Sequence, residues 1–274
     1  MDRSRGLMAV HAHPDDESLW TGGVLAQHVA EGRPTAVITC TDGELAEGGS
    51  FAAAGTRLKE LGQALGVLGV AESGVLQYRD SGHQGCGAGS LCAAPFDDLV
   101  ADLVARIRSF RPAAVATYDA YGMYGHPDHV RVHRAVLVAV EAAACAHLWP
   151  QAGPAWAVES LWLATVPESM VDRLVALGLE SPIPCTPDAQ IAAALDVRPW
   201  LDLKWEAVRA HASEFARGAR IAAFEEPQLR ELCLGREWFI HRPGPGAGPR
   251  GGSPGPGGVR AGALLADWGR TPAS

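Results

Sequence analysis

The chain has 274 residues, 47% of them hydrophobic and 20% charged, enough apolar material for one large domain with its own core. Lys and Arg number 23 against 31 Asp and Glu, and the resulting net charge of −8 argues against a phosphate-backbone ligand, so no nucleic-acid partner is expected. The chain contains neither a secretory apolar stretch of about 7–15 residues nor a membrane span of about 20, so a cytoplasmic protein without membrane contact is expected.

Short apolar runs alternate with helical patterns along the chain. Leu7 to Ala12, Thr35 to Thr41, Gly74 to Tyr78, Ala113 to Tyr118 and Val158 to Val166 read as strands. Leu19 to Ala30, Thr56 to Leu68, Phe96 to Phe110 and Val130 to Ala146 read as helices between them. The alternation predicts an α/β fold with a Rossmann-like, mostly parallel sheet sandwiched by helices. Ligands of such sheets bind at the carboxyl ends of the strands. Further on, Pro199 to Arg217 has a helical pattern, with Trp200, Leu203, Val208, His211 and Phe215 on one side, and Arg236 to Arg242 reads as a last strand. Between Pro243 and Gly258, thirteen of sixteen residues are Gly or Pro, too few apolar side chains to fold. One domain over residues 1–242 and a disordered tail over 243–274 are therefore expected. The six cysteines sit mostly inside apolar runs and read as small buried residues; the spacing of Cys86 and Cys92 matches no zinc pattern.

The first strand runs into His11-Ala12-His13-Pro14-Asp15-Asp16-Glu17, and the fourth into Tyr118-Asp119 and then Tyr124-Gly125-His126-Pro127-Asp128-His129. Two His/Asp clusters at strand ends of one parallel sheet can face a common site. Imidazole and carboxylate are the ligands that zinc takes in hydrolytic centres, commonly three from the protein. His13 and Asp16 can reach one ion from a single turn, and His129 can close the set. Asp15 can then take a proton from an attacking water. His126 can protonate a leaving group or stabilise an oxyanion, with Asp128 orienting its ring. Helix capping accounts for one aspartate in each cluster but not for three histidines together. A dinucleotide site is disfavoured, because no Gly-x-Gly-x-x-Gly turn follows the first strand.

These residues resemble the LmbE-like (PIG-L) superfamily of zinc-dependent N-acetylglucosaminide deacetylases. His-Pro-Asp-Asp-Glu stands at 13–17 and His-Pro-Asp-His at 126–129, and the likeness spans about residues 7 to 140. Val10 to Leu19 resembles the opening of the mycothiol-pathway deacetylase and the mycothiol S-conjugate amidase, and Thr39-Cys40-Thr41, Arg79-Asp80-Ser81-Gly82 and Tyr118-Asp119 before Tyr124-Gly125-His126 resemble the deacetylase. The resemblance implies His13, Asp16 and His129 as metal ligands, Asp15 as base, and His126 with Asp128 as the acid or oxyanion partner. It further implies Tyr124 at the developing oxyanion, and Arg57, Asp80 and Glu44 on the substrate. The implied cofactor is zinc or ferrous iron, and the partner a small amino-sugar glycoside. A thiol-conjugate amidase and a deacetylase tailoring a sugar in secondary metabolism share the same chemistry. A non-catalytic sugar or nucleotide-binding module is the alternative of a different class. One departure is Gly122-Met123-Tyr124, where the family often has Gly-Gly-Tyr.

Overall fold

Apolar, β-branched runs that are buried on both sides need neighbours on both sides, and in the computed structural model they find them in one sheet. The structure describes residues 6–45, 55–82, 87–179, 184–216 and 220–247. Its strands are β1 (Leu7–His11), β2 (Thr35–Thr41), β3 (Glu72–Tyr78), β4 (Ala114–Tyr118), β5 (Ser160–Thr165), β6 (Ala193–Asp196) and β7 (Arg236–Pro243). They lie in the order β3-β2-β1-β4-β5-β7-β6. The pairs among β1 to β5 are parallel, while β7 runs antiparallel to both β5 and β6. β1, β2, β4 and β5 are buried along their whole length, as a parallel sheet covered on both faces requires.

The helices are α1 (Asp16–Trp20), α2 (Gly22–Ala30), α3 (Thr56–Leu68), α4 (Phe96–Phe110), the distorted turn α5 (Gly122–Gly125), α6 (Pro127–Ala143), α7 (Glu168–Ala176), α8 (Leu201–Ala210), α9 (Ala212–Ala216) and α10 (Pro227–Leu234). α4 packs on α6, whereas α2 and α3 pack against α8. The chain winds outward from β1 through β2 to β3, then crosses to β4 and winds the other way. β1 and β4 are therefore adjacent strands at the switch of direction, where an open sheet leaves a crevice beyond its carboxyl ends.

Three helices depart from the pattern read in the sequence. The helix expected from Leu19 starts at Asp16 and breaks at Thr21, whose φ is −135°. The Thr21 hydroxyl donates to the Glu17 carbonyl at 3.1 Å and lies 2.9 Å from His11 Nε2, so its side chain serves the break. The helix expected from Val130 starts at Pro127, because His126 caps it and proline suits the first helical position. The helix expected over Pro199 to Arg217 is divided at His211 into α8 and α9. β6, α7 and α10 were not expected; β6 has only four residues and owes its conformation to pairing with β7.

The C-terminal elements are tied to the start of the chain. Glu237 of β7 accepts from the backbone of Gly23 at 2.7 Å and of Val24 at 3.0 Å, capping α2, and also from Lys204 Nζ at 2.7 Å. A Cβ on Gly23 would lie 2.4 Å from Val197 Cβ, so only glycine permits this approach. Past β7, Gly244 and Gly246 still donate to the carbonyls of Glu159 and Val158; residues 248–274, most of the expected tail, lie outside the described residues. Cys86 also lies outside them. Among the described residues no helix is long and apolar enough to cross a membrane.

Candidate active site

At the end of β1 the chain turns sharply. Asp15 has a φ of 114°, a left-handed conformation that a side-chain-bearing residue holds only when its surroundings enforce it. Several contacts do so. The Asp15 N–H donates to Glu17 Oε2 at 3.0 Å, and its carboxylate accepts from Arg57 Nη2 at 2.9 Å. Arg57 also donates to the carbonyls of Pro14 and Gly43 and pairs with Glu214 at 3.3 Å. Glu17 is fixed in turn by Ser18 and by His211 Nε2, which donates to it at 2.8 Å.

The turn after β4 supplies the other half. Asp119 Oδ1 accepts from the backbone of Tyr121 and Met123, and its Oδ2 accepts from Thr165. This folds the chain through positive φ at Gly122 (67°) and at Met123 (66°). His126 then caps α6, its Nδ1 accepting from the Asp128 N–H at 3.2 Å. That cap and α6 bring Asp128 and His129 inward.

Three donor atoms converge between the two turns. His13 Nδ1 lies 3.1 Å from His129 Nε2 and 3.6 Å from Asp16 Oδ2, and His129 Nε2 lies 3.4 Å from Asp16 Oδ2. The hydrogen bonds on the far sides of the rings settle which nitrogens carry protons. His129 Nδ1 must donate to the Gly122 carbonyl at 3.2 Å, and His13 Nε2 to the Asp128 carboxylate at 3.3 Å. Two imidazole lone pairs and a carboxylate oxygen thus face one another, an arrangement that repels itself unless a cation or proton stands among them. Ligands held about 2.0–2.2 Å from a tetrahedral zinc are roughly 3.3–3.6 Å apart; two edges of the triangle fall in that range and the third, 3.1 Å, is slightly shorter, so the triangle is close to what such an ion needs. His126 adjoins it: His13, His126 and His129 form one group able to hold a metal, and His13, Asp80, His126 and Asp128 another.

The electrostatics agree with that demand. Burial alone would lower the His13 pKa, but hydrogen bonds to Asp128, Asp16 and Asp80 outweigh it and hold the imidazole well above its ordinary value. Burial would raise Asp16, yet His129 and His13 keep it well below the usual carboxylate range. Asp15 goes the other way. Burial pushes its carboxyl up to about 7 against the pull of Arg57, with Asp16 and Glu214 adding to the rise.

The remaining expected residues surround this centre. The Asp128 carboxylate accepts from His13 Nε2 at 3.3 Å, from Ser81 N at 2.9 Å, from Ser81 Oγ at 2.5 Å and from Cys92 Sγ at 3.3 Å. Asp80 lies 3.4 Å from His13 Nε2 and accepts from the Gly82 N–H, so it too stands behind the imidazole. Glu44 accepts from the Asp80 N–H and from exposed Arg79. Arg57, expected on sugar hydroxyls, is only 5% exposed, and its guanidinium is shared among Asp15, Glu214 and two carbonyls. The Tyr124 ring stands 5.0 Å from that of His129.

Several residues of the site were not singled out from the sequence. Tyr118 stacks on His129 at 4.1 Å, accepts from the Ala12 N–H and donates to Asp16 Oδ2, both at 2.6 Å. Its place just before Asp119 was the available signal. Ser81 stood within the Arg79-Asp80-Ser81-Gly82 match, whereas Cys92 and Glu214 carried no signal of a place in the site, since their partners are distant in the chain.

Residues 8–140 match the family model described as PIG-L: GlcNAc-PI de-N-acetylase. The chain is 38% identical over 272 residues to the 1D-myo-inositol 2-acetamido-2-deoxy-alpha-D-glucopyranoside deacetylase of Geodermatophilus obscurus, covering 87% of this chain and 92% of that one. It is 39% identical over 239 residues to the protein of the same name from Rhodococcus jostii, covering 77% and 82%. The N,N'-diacetylchitobiose deacetylase of Pyrococcus horikoshii shares the fold, with a TM-score of 0.62 at 19% identity over 87% of this chain and 84% of that one.

Proposed function

The chain belongs to the PIG-L family of de-N-acetylases, and on that footing we propose that it hydrolyses the acetamide of an N-acetylglucosamine-containing glycoside, releasing acetate and the free amine. The inositol-linked glucosaminide is the substrate we assign, because it is the one named for relatives at 38% and 39% identity. The observation that carries the reading is the facing triangle of His13 Nδ1, His129 Nε2 and Asp16 Oδ2. Those three residues would hold a divalent ion, zinc or ferrous iron. Such an ion, when bound, supplies a Lewis acid and lowers the pKa of water from about 15.7 towards about 7.

The chain's own residues do the rest. Asp15, whose carboxyl feels the charge of the neighbouring Asp16, takes the proton of the attacking water. Glu17 and Arg57 hold it there from its backbone and its side chain. The Tyr124 hydroxyl and the His126 imidazole meet the charge that develops on the carbonyl oxygen, and such a preorganised donor is typically worth about 3–4 kcal/mol. His126 then gives a proton to the departing amine. Asp80 and Glu44, beyond His13, border the side on which sugar hydroxyls would lie.

Metal-reconstituted protein should release acetate from the inositol-linked glucosaminide faster than from N,N'-diacetylchitobiose, and should leave a thiol-conjugate amide intact. Asp15→Asn should keep its metal and lose turnover by about 10²–10⁴-fold. Acetate release from none of these substrates, or an Asp15→Asn variant at wild-type rate with equal metal content, would sink the reading.

A further inference from the structure

The half-buried Trp20 closes α1, and its indole Nε1 donates to Asp16 Oδ1 at 3.1 Å. The helix dictates this contact. Residues four apart stand on one face, and a long helical side chain points back over the preceding turn. The break at Thr21 ends the helix directly after Trp20, so the indole lies beside the site rather than within a longer helix.

The two oxygens of Asp16 have different partners. Oδ2 faces His13 and His129 and also accepts from the His13 N–H at 2.9 Å and from Tyr118. Oδ1 points away to the indole. The indole holds Oδ1 on the far side of the carboxylate, so Oδ2, although it also accepts two hydrogen bonds, is the oxygen turned to the two imidazoles. That matters to a hydrolytic centre, which works by keeping coordination positions open for water and the substrate carbonyl. A carboxylate free to chelate with both oxygens would occupy one of those positions.

We propose that Trp20 is a positioning residue that holds Asp16 as a one-oxygen ligand, through the indole N–H and not through the bulk of its ring. The inference rests on the metal-site reading above. It concerns a residue four positions from its target, on a side chain that the hydrolytic chemistry itself does not use.

Two variants separate the N–H from the ring. Trp20→Phe keeps an aromatic ring and loses the donor; Trp20→Gln loses the ring and keeps a donor that reaches i−4 on a helix. The full-length proteins are compared by zinc affinity in competition with a chelator and by the visible spectrum of the Co²⁺-substituted form, with far-UV circular dichroism checking the fold. Trp20→Phe should bind zinc about 10–100-fold more weakly and show a weaker d–d band, as a higher coordination number gives. Trp20→Gln should stay close to wild type in both. Wild-type affinity and spectrum in Trp20→Phe would overturn the inference and leave the metal site standing, as would a folded Trp20→Gln that behaves like Trp20→Phe. Failure of the wild-type protein to take up zinc or cobalt would instead overturn the metal-site reading beneath it.

Discussion

Gly122 shows how much of the site hangs on single residues. Its φ of +67° suits glycine, its carbonyl fixes the His129 tautomer, and a Cβ there would lie 2.5 Å from His129 Cβ and 2.8 Å from the Val130 nitrogen. Neither neighbour can give way, since both belong to the start of α6. Gly122→Ala should therefore lose at least about 2 kcal/mol of stability in urea unfolding, from left-handed strain and overpacking together. It should also lose metal affinity, because His129 must move. A variant as stable and as tight for zinc as wild type would mean that the turn relaxes at little cost. Met123, next to it, already bears a side chain at positive φ. The identities at 13–17 and 126–129 were plain in the sequence, but the roles of their atoms were not. Asp128 reads as a partner of its neighbour His126, and its N–H does donate to that ring, while its carboxylate also reaches His13, 115 positions away.

At the scale of elements, the turns that carry the chemistry are held by pieces of the chain remote from them. Glu237 of β7 caps α2, and Lys204 of α8 is buried against the same carboxylate. Removing one partner of a buried ion pair leaves an uncompensated charge, so Glu237→Gln should cost about 3–5 kcal/mol. The double variant Lys204→Met with Glu237→Gln should be more stable than Glu237→Gln alone, since no charge remains buried. If the single variant unfolds at the wild-type urea concentration, the pair is not a clamp. Strand and helix positions in the first 140 residues were legible because period and punctuation are local: β2, α3 and α4 fall where the pattern places them. The later elements were less legible. β6 is short, and α8 and α9 are divided at His211, whose ring is bound to Glu17, 194 positions earlier.

Over the whole molecule, buried histidines add to the response to acid. His28, on α2, is fully buried. That burial lowers its pKa from 6.5 to about 4, against a hydrogen bond to the Val24 carbonyl. The folded protein thus prefers the neutral ring while the unfolded chain takes up a proton near the ordinary value. The stability tied to this group is intact above about pH 6.5 and is lost as the pH falls from there towards about 4, at no more than about 1.4 kcal/mol per pH unit. His28→Gln should flatten that part of the curve of unfolding free energy against pH, and an unchanged slope would assign the acid sensitivity elsewhere. The amino-acid order by itself determined the α/β alternation and the placing of two His/Asp clusters at strand ends, because hydrophobic period and motif spacing are properties of neighbours. The tertiary structure alone decided that β1 and β4 lie side by side at the switch of winding, and that nitrogens 116 positions apart face each other at 3.1 Å. It also decided that Arg57 and Trp20 grip the two adjacent aspartates. Hydrogen bonds have direction and a reach of about 3 Å, and no spacing along a chain encodes which atoms will meet.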